Sequence, residues 1–189
     1  MAAAPTTNAD TLRADSARVR ARMLAAARAR VDAGDLELPM NAIAKAAGVG
    51  VGTVYRHFPN RQALLESLAA QSLESLVADA VAAASHPDVA TGLANLLRAA
   101  LRLQLTDPTL AAVLAAPDAA CLETMRLSSA LRDTVGPLLD RARAEGALRG
   151  DVTPDDFRRL ICGVQHAVRI GAPTDADRYI EILLRGLRP

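Results

Sequence analysis

The chain has 189 residues, of which 51% are hydrophobic, 2% aromatic and 23% charged, and its formal net charge is +1. This length and this apolar fraction exclude a disordered chain and suit one or two small domains, while the near-neutral charge excludes a protein that is basic along its whole length. The two cysteines, Cys121 and Cys162, form no CxxC pair, which excludes a cysteine-rich zinc site and a disulfide scaffold.

The composition favours an all-α fold. With two Phe, two Tyr and no Trp, the core has to be built from Ala, Leu, Val and Ile, and Ala and Leu are among the residues that enter a helix at least cost. No stretch alternates apolar and polar residues for long enough to indicate a strand. The N-terminus lacks the apolar core of a signal peptide, and the longest apolar runs, such as residues 110–116, are too short to span a bilayer. We therefore expect about nine helices in a cytoplasmic protein without a membrane partner.

The first third of the chain is more basic than the rest. Residues 1–61 carry nine Lys and Arg against five Asp and Glu, a net charge of +4, and the remainder carries −3. Within this third, residues 1–15 are small and polar and predict a disordered arm. A first helix is predicted from Ser16 to Ala33, and Gly34 ends it. Its apolar face consists of Val19, Met23, Ala26, Ala27 and Val31. Four arginines outside that face are expected in water or near phosphates: Arg18, Arg22, Arg28 and Arg30.

Two short helices separated by a tight turn follow the first helix. The second helix is predicted over residues 39–47, with the proline at its first position, where a missing N–H costs nothing. The turn is formed by residues 48–50, and Gly48 can adopt the left-handed conformation that ends a helix. A third helix is predicted over residues 51–57. This spacing is typical of a helix-turn-helix, whose second helix lies in the major groove of DNA.

Apolar residues are expected to hold this unit together. Val49 is the lone large apolar residue of the turn and is predicted to plug the core between the helices. Val54 and Phe58 are predicted to face inward from the third helix. Asn60 is expected to cap a fourth helix over about residues 61–83.

The outward side chains of the third helix carry the chemistry of a DNA contact. Thr53, Tyr55 and His57 can each donate a hydrogen bond to a phosphate oxygen, a contact that sets register without reading sequence. Arg56 is suited either to phosphate or to the edge of a guanine. The net charge of +4 in this part of the chain agrees with a polyanionic partner.

The segment that carries these residues resembles the DNA-binding domain of TetR-family regulators. It reads IAKAAGVGVGTVYRHFPNRQALLESL over residues 43–68, and it is similar to a family pattern of the type IA..AGVS.GT.Y.HF..K..L.. The resemblance extends over about residues 16–70. The matching positions are Ile43, Ala44, Ala47, Gly48, Val49, Gly52, Thr53, Tyr55, His57, Phe58, Leu64 and Leu65.

The resemblance implies further DNA contacts, and two positions depart from the pattern. It implies that Arg61 touches phosphate and that Asn41 contacts DNA from the second helix. Gly50 and Val51 stand where the family often has Ser and Lys, so polar contacts are lost there, and Val51 is expected to pack on a thymine methyl. In place of the usual Ser or Thr cap of the second helix the chain has Leu38 and a proline. The candidate DNA-binding residues are Asn41, Gly50, Val51, Thr53, Tyr55, Arg56, His57 and Arg61.

The remaining residues predict a second helical domain. After a linker at residues 85–87, helices are expected over about 88–105, from 108 to just before Pro117, over 118–145 with a bend near Gly136 and Pro137, over 154–169 and over 175–187. We therefore divide the chain into a DNA-binding domain over residues 16–62 and a ligand-sensing and dimerisation domain over residues 63–189. The segments RARAEGALRGDVTPDDF and RYIEILLRGLRP also resemble a C-terminal type found in actinobacterial TetR-like regulators.

The resemblance implies a homodimer formed by the last two helices. Small or apolar residues lie at helical spacing on both of them: Gly163 and Ala167 on the first, and Tyr179, Ile182, Leu183 and Gly186 on the second. The same faces would serve equally well to pack within one subunit. Dimerisation is favoured separately because one helix reads few bases, whereas a symmetric dimer reads two half-sites about 34 Å apart or a multiple of that.

The resemblance also implies that a small-molecule effector binds among the middle helices and that the chain is a repressor released from its operator. The candidate pocket residues are Leu97, Leu101, Gln104, Leu114, Cys121, Met125, Leu138 and His166. These residues are equally compatible with an ordinary core. The scarcity of aromatic residues argues against a large flat ligand and agrees with a small or aliphatic effector, or with none.

Three other functions have some support in the sequence: an enzyme or metal site, a nucleotide-binding loop and a protein-binding module. Cys162 and His166 share a helical face, as a thiol–imidazole pair or two metal ligands would, but a third group is not evident. The GVGVG run follows a helix rather than a strand, which argues against a phosphate-binding loop. A helical module that binds a protein partner would not need the basic N-terminal third. We therefore expect no enzyme activity, no cofactor and no metal, and expect double-stranded operator DNA as the partner.

Overall fold

A computed structural model describes residues 8–189, with side chains from Leu12 onward. Within these residues the fold is all-α, as predicted, and contains no strand. The helices are α1 (Asn8–Asp32), α2 (Met40–Ala47), α3 (Val51–His57), α4 (Arg61–Ala84), α5 (Val89–Thr106), α6 (Pro108–Ala115), α7 (Leu122–Ala144), α8 (Pro154–Ile170) and α9 (Ala176–Gly186), with a 3₁₀ turn at Pro173–Asp175. The chain forms two compact units that divide between Leu68 and Ala69, six residues after the predicted boundary. We call them the N-terminal and the C-terminal unit.

Helix α1 is longer than the sequence predicted. It begins at Asn8 instead of Ser16, so residues 8–15 of the predicted disordered arm are helical, while residues 1–7 of that arm lie outside the described residues. Its buried positions are Met23, Ala27 and Val31, four residues apart, which is the spacing of one helical face. Residues 12–18 are exposed and form no such face, so apolar periodicity gave no sign of a helix there.

The turn between α2 and α3 has the predicted glycine conformation. Gly48 has φ +65° and ψ +41°, and its N–H donates to the carbonyl of Lys45 at 3.3 Å. A side chain with a Cβ is strained in this left-handed region, which explains why glycine stands here. Pro39 is the N-cap of α2 and not its first residue, and no side chain caps that end. The bounds of α3 are those predicted.

Leu38 is a core residue of the loop before α2 that the sequence did not predict, whereas Val49 does not have the buried place predicted for it. Leu38 is fully buried, whereas Val49 is only half-buried. The φ of Leu38 is +47°, a left-handed conformation that costs a non-glycine residue on the order of 1–3 kcal/mol. Burying a leucine side chain contributes about 1.5–3 kcal/mol, which is enough to offset that strain.

The start of α4 follows the prediction. The Oδ1 of Asn60 accepts a hydrogen bond from the N–H of Ala63 at 2.8 Å, and so caps the helix. Val54 and Phe58 are buried, as expected, as are Ile43 on α2 and Leu64 on α4, whereas Val51, Tyr55 and Arg56 on α3 are exposed. The helix-turn-helix is therefore a packed unit with one displayed face.

In the C-terminal unit, helices α5, α7, α8 and α9 and the second half of α4 bury one continuous apolar core. Helix α8 begins with a complete capping box, because Thr153 and Asp156 each accept a hydrogen bond from the backbone N–H of the other. Helix α7 begins at Leu122, four residues later than predicted, and Pro137 lies inside a continuous helix. Asp107, at the N-cap of α6, accepts hydrogen bonds from Ser72 on α4 and from Thr109.

Candidate nucleic-acid interface

Helix α3 divides its side chains between the core and the surface. Val51 is 46% exposed and Tyr55 is 50% exposed, and Arg56 is also exposed. Thr53 and His57 are half-buried, so only part of each side chain faces outward. The helix therefore presents two large uncharged side chains and one arginine on its outer face.

Helix α2 adds two polar side chains. Asn41 is exposed, and its Oδ1 accepts the N–H of Ala42 at 2.8 Å, which fixes the amide and leaves its NH₂ group outward. Lys45 lies one turn later and is exposed as well. Lys45 was not predicted as a DNA contact, although its position four residues after Asn41 places it on the same side of α2. Gly50, at the N-cap of α3, has open space where a Cβ would stand and offers only backbone.

Arg61 makes contacts that the sequence did not anticipate. Its Nε donates to the carbonyl oxygens of Leu36 and Glu37, each at 3.0 Å, and its Nη2 donates to that of Leu36 at 2.6 Å. The guanidinium therefore holds the loop between α1 and α2, while the side chain remains exposed. Arg61 has a structural partner whether or not it also approaches a phosphate.

Three arginines of α1 make contacts within the N-terminal unit. Arg20 places its guanidinium carbon 4.5 Å from the centre of the Phe58 ring and donates to Ser67 at 3.0 Å. Arg28 donates to the carbonyl of Leu68 at 2.7 Å, which ties α1 to α4. Arg30 pairs with Asp35 at 2.5 Å, and this hydrogen bond lowers the pKa of the Asp35 carboxyl. The expectation for Arg28 and Arg30 is thus corrected, because both bind protein acceptors.

The C-terminal unit contains a cavity of about 320 Å³ between α4, α5, α6, α7 and α8. Of the eight predicted pocket residues, Gln104 and Leu114 line it. The other six do not: Leu97, Leu101 and Leu138 are buried in the core, Cys121 is half-buried, and Met125 and His166 are exposed. Helical spacing placed Leu97, Leu101 and Leu138 correctly in the interior, but it did not distinguish packed positions from positions beside a void, and it was wrong for the exposed Met125 and His166.

The last two helices leave apolar surface uncovered. Ile170 on α8 is 76% exposed and Ile182 on α9 is 60% exposed. Leu160 on α8 is also exposed, and neither Leu160 nor Ile170 was among the predicted interface residues. The predicted interface residues lie around them: Gly163 and Gly186 are exposed, and Ala167, Tyr179 and Leu183 are half-buried.

The thiol–imidazole pair has the wrong environment for a nucleophile. Burial raises the pKa of the Cys162 thiol, against a smaller lowering by Arg158, so the reactive thiolate is disfavoured. His166 is exposed. Across residues 8–189 no three His, Cys, Asp or Glu side chains cluster as metal ligands would. In the same part of the chain, no helix combines the length and the hydropathy needed to span a bilayer.

The two units match two family models. Residues 23–68 match bacterial regulatory proteins of the TetR family, and residues 88–189 match the C-terminal domain of SbtR-like transcriptional regulators. No curated protein matches the chain significantly.

Solved structures resemble the chain over most of its length. The TetR transcriptional regulator SCO0520 from Streptomyces coelicolor is 27% identical, with a TM-score of 0.54 over 90% of this chain and 98% of that one. The fatty acid degradation regulator FadR from Bacillus halodurans, 20% identical, has a TM-score of 0.59 over 89% of this chain and 100% of its own. FadR from Bacillus subtilis, solved with stearoyl-CoA and 16% identical, has a TM-score of 0.62 over the same shares. The latter two show the shared fold. The chain belongs to the TetR family of DNA-binding transcriptional regulators.

Proposed function

We propose that this regulator represses transcription as a homodimer and leaves its operator when a small molecule binds in the C-terminal unit. The observation that carries the DNA part is the display of Val51, Tyr55 and Arg56 beyond the Gly48 turn, with Val54 held in the core. An exposed face on the second helix of a helix-turn-helix is the surface that enters the major groove. The DNA-binding domain is then the N-terminal unit up to Leu68, and the C-terminal unit senses ligand and dimerises.

The proposed contacts fall into two groups. Thr53, Tyr55 and His57 donate to phosphate oxygens and set the register of α3. Arg56 and Val51 read base edges, the first as a donor to guanine and the second as an apolar contact to a thymine methyl. Asn41 adds a polar contact from α2, and Gly50 brings the backbone close to the DNA. Arg61 contacts a phosphate through its Nη1 alone, because its Nε and Nη2 already donate to carbonyl oxygens of the described residues.

The uncovered faces of α8 and α9 support the dimer. Four small or apolar residues lie along one side of α8, because they follow one another at intervals of three, four and three residues: Leu160, Gly163, Ala167 and Ile170. Exposed large apolar side chains grouped in this way mark an interaction surface. We propose that the same residues of a second copy cover them, together with Ile182 and its neighbours on α9.

The effector is proposed to act by population shift. It would bind one arrangement of the dimer better than the other and so change the separation of the two α3 helices. A volume of about 320 Å³ encloses only a small part of a molecule the size of stearoyl-CoA, the ligand named for Bacillus subtilis FadR. We therefore infer a smaller molecule for this chain.

The test is a fluorescence-anisotropy titration of the purified full chain with a duplex from upstream of its own gene, at several salt concentrations. We expect affinity to fall linearly with the logarithm of salt concentration, since phosphate contacts release counterions. Arg56→Ala is expected to weaken binding at least tenfold, whereas Arg126→Ala, on exposed α7 surface, serves as the matched control and should change nothing. Salt-independent affinity, or equal loss in both variants, would contradict the proposal.

A further inference from the structure

The cavity of the C-terminal unit has apolar walls and a single buried polar group. Helix α5 presents Leu96, Ala100 and Gln104 to it at intervals of four residues, so that one helical face forms a wall. Phe157 and Ile161 of α8 line another side, and both are buried. Apart from Gln104, the charged and polar lining residues are exposed at the rim, except Arg158, which is half-buried and donates to Asp155 and to the carbonyl of Leu114. A ligand in this space would therefore meet mostly hydrocarbon.

Gln104 is the exception in these walls. Its side chain is 1% exposed, yet neither its Oε1 nor its Nε2 has a hydrogen-bond partner among the described residues. A buried amide without partners is costly, and native proteins seldom keep one unless something else satisfies it. Because Gln104 lines the cavity, a ligand in the cavity is the partner that can do so.

The two free atoms of this amide specify the chemistry of that partner. The Oε1 accepts a hydrogen bond and the Nε2 donates, so a complementary group has to do both. A primary alcohol or a primary amide meets this condition while remaining neutral. A carboxylate only accepts, so it would leave the Oε1 facing an anion, and it would also lose its hydration in an apolar space.

The volume limits the part of a ligand that the cavity encloses. A volume of about 320 Å³ corresponds to about ten water molecules at roughly 30 Å³ each. It lies at the small end of the range for ligand pockets, about 300–1,000 Å³. A chain of about eight carbons with one small polar end matches this volume, and with so few aromatic residues in the chain the walls are mainly aliphatic.

We propose that this cavity binds a small, uncharged aliphatic molecule whose one polar end both donates a hydrogen bond to Gln104 and accepts one from it, as a primary alcohol or a primary amide does. This inference rests on the proposed function, since it names the chemical class of the effector assumed there. It concerns the binding step, which can be measured without DNA.

The probes are octanamide, 1-octanol and octanoate, which share one carbon-chain length and differ at the polar end. Binding to the DNA-free full chain is measured by isothermal titration calorimetry at pH 7. We expect octanamide and 1-octanol to bind at least about tenfold more tightly than octanoate, because one neutral end satisfies both atoms of Gln104. Tighter binding of octanoate, or no binding of any probe at millimolar concentration, overturns the proposal.

Three variants locate the binding. Gln104→Leu keeps a side chain of similar size, and we expect it to lower octanamide affinity about tenfold while raising the melting temperature of the ligand-free chain, since it removes an unsatisfied buried amide. Ala100→Leu fills the cavity and should weaken all bound probes. Gln165→Leu is the matched control, because Gln165 is a buried glutamine like Gln104 but lies on α8 and does not line the cavity. This variant should bind octanamide as the unmodified chain does. Unchanged octanamide affinity in Gln104→Leu contradicts the proposal.

A second readout separates this inference from the proposed function. The bound probe is added to a complex of the chain with its operator duplex, and anisotropy reports release. If octanamide binds through Gln104 but the complex persists, the ligand class stands and the release mechanism fails. If the chain binds no operator duplex, the regulatory proposal fails, and the calorimetric result for the cavity is unaffected.

Discussion

The guanidinium carbon of Arg20 lies 4.5 Å from the centre of the Phe58 ring, and the same side chain donates to Ser67 at 3.0 Å. Arg20 thereby joins α1 to the residue that ends α3 and to the second turn of α4. A cation over an aromatic face and a hydrogen bond are each worth on the order of 1 kcal/mol. This contact therefore helps, together with the apolar core, to hold the end of α3 in place.

Replacing Arg20 by alanine is therefore expected to destabilise the N-terminal unit by about 1–2 kcal/mol. The measurement is urea unfolding followed by circular dichroism. Arg18→Ala provides the control, since Arg18 pairs only with Asp15 at an exposed position and should lose no more than about 0.5 kcal/mol. Equal losses in the two variants would mean that the contact with Phe58 contributes nothing.

Arg61→Lys tests whether Arg61 acts through its positive charge or through the several N–H donors of its planar guanidinium. Lysine keeps the charge but cannot donate to the carbonyls of Leu36 and Glu37 with two nitrogens held in one plane. We expect stability to fall by about 1 kcal/mol while the salt dependence of DNA binding stays as it was. If Arg61→Lys has the stability of the unmodified chain and Arg61→Ala reduces the salt dependence of DNA binding, Arg61 is chiefly a phosphate contact.

The helix-turn-helix was predictable because its signals are local. Gly48 has the left-handed conformation that its position required, and Asn60 caps α4 as its side chain predicted. The start of α1 was missed because Asn8 and the residues after it lack an apolar face, so nothing in periodicity marked them as helical. Leu38 was missed because its burial depends on a strained loop conformation that no propensity favours.

The cavity was only partly predictable for a different reason. Leu97 and Gln104 lie two turns apart on α5 and both are buried, yet only Gln104 borders the void. Whether a buried residue touches another side chain or empty space depends on helix separations, which the pattern of one helix does not contain. The signal that identifies Gln104, an amide without partners, exists only in three dimensions.

Gly92 lies where α5 closely approaches the backbone of α4. A Cβ at this position would lie 2.4 Å from the carbonyl oxygen of Ala83, which is backbone and cannot move aside. Gly92→Ala is therefore expected to destabilise the C-terminal unit by about 1–3 kcal/mol, although alanine favours a helix. Gly136→Ala on α7 is the control for an open position, because a Cβ there meets no atom within 4 Å beyond its chain neighbours. Since residue 136 precedes Pro137, whose ring disfavours a helical residue with a Cβ, we expect stability to change by less than about 0.5 kcal/mol. Thermal unfolding measures both, and stabilisation by Gly92→Ala would contradict the close approach.

The capping box of α8 predicts a dependence of stability on pH. The hydroxyl of Thr153 and then its backbone N–H donate to Asp156 and hold the pKa of that carboxyl below its ordinary value of 3.8. A carboxyl with a lowered folded-state pKa stabilises fully above its unfolded pKa, and that contribution is lost as the pH falls through the folded value. We expect the urea midpoint to fall between pH 5 and about pH 3, and to fall less in Asp156→Asn. Asp118→Asn, at an exposed position outside any helix, should keep the slope of the unmodified chain. If the urea midpoint of Asp156→Asn fell with pH as steeply as that of the unmodified chain, the capping box would not be the cause of the pH dependence.

The exposed isoleucines of α8 and α9 give the sharpest test of the proposed dimer. Ile170 and Ile182 are 76% and 60% exposed, although each costs free energy in water. A glutamate at position 182 would place a charge inside the proposed interface, where it has to lose its hydration, so we expect Ile182→Glu to convert the dimer into a monomer. Light scattering coupled to gel filtration reports the mass.

The control for that experiment is Val81→Glu on α4, where a 50% exposed apolar side chain lies outside the proposed interface. It should stay dimeric. Because a monomer engages one half-site in place of two, Ile182→Glu is also expected to lose operator affinity while keeping its helix content and its non-specific, salt-dependent DNA binding. A dimeric Ile182→Glu variant, or dissociation by Val81→Glu instead, would place the interface elsewhere and would leave the exposure of Ile170 and Ile182 without its proposed cause.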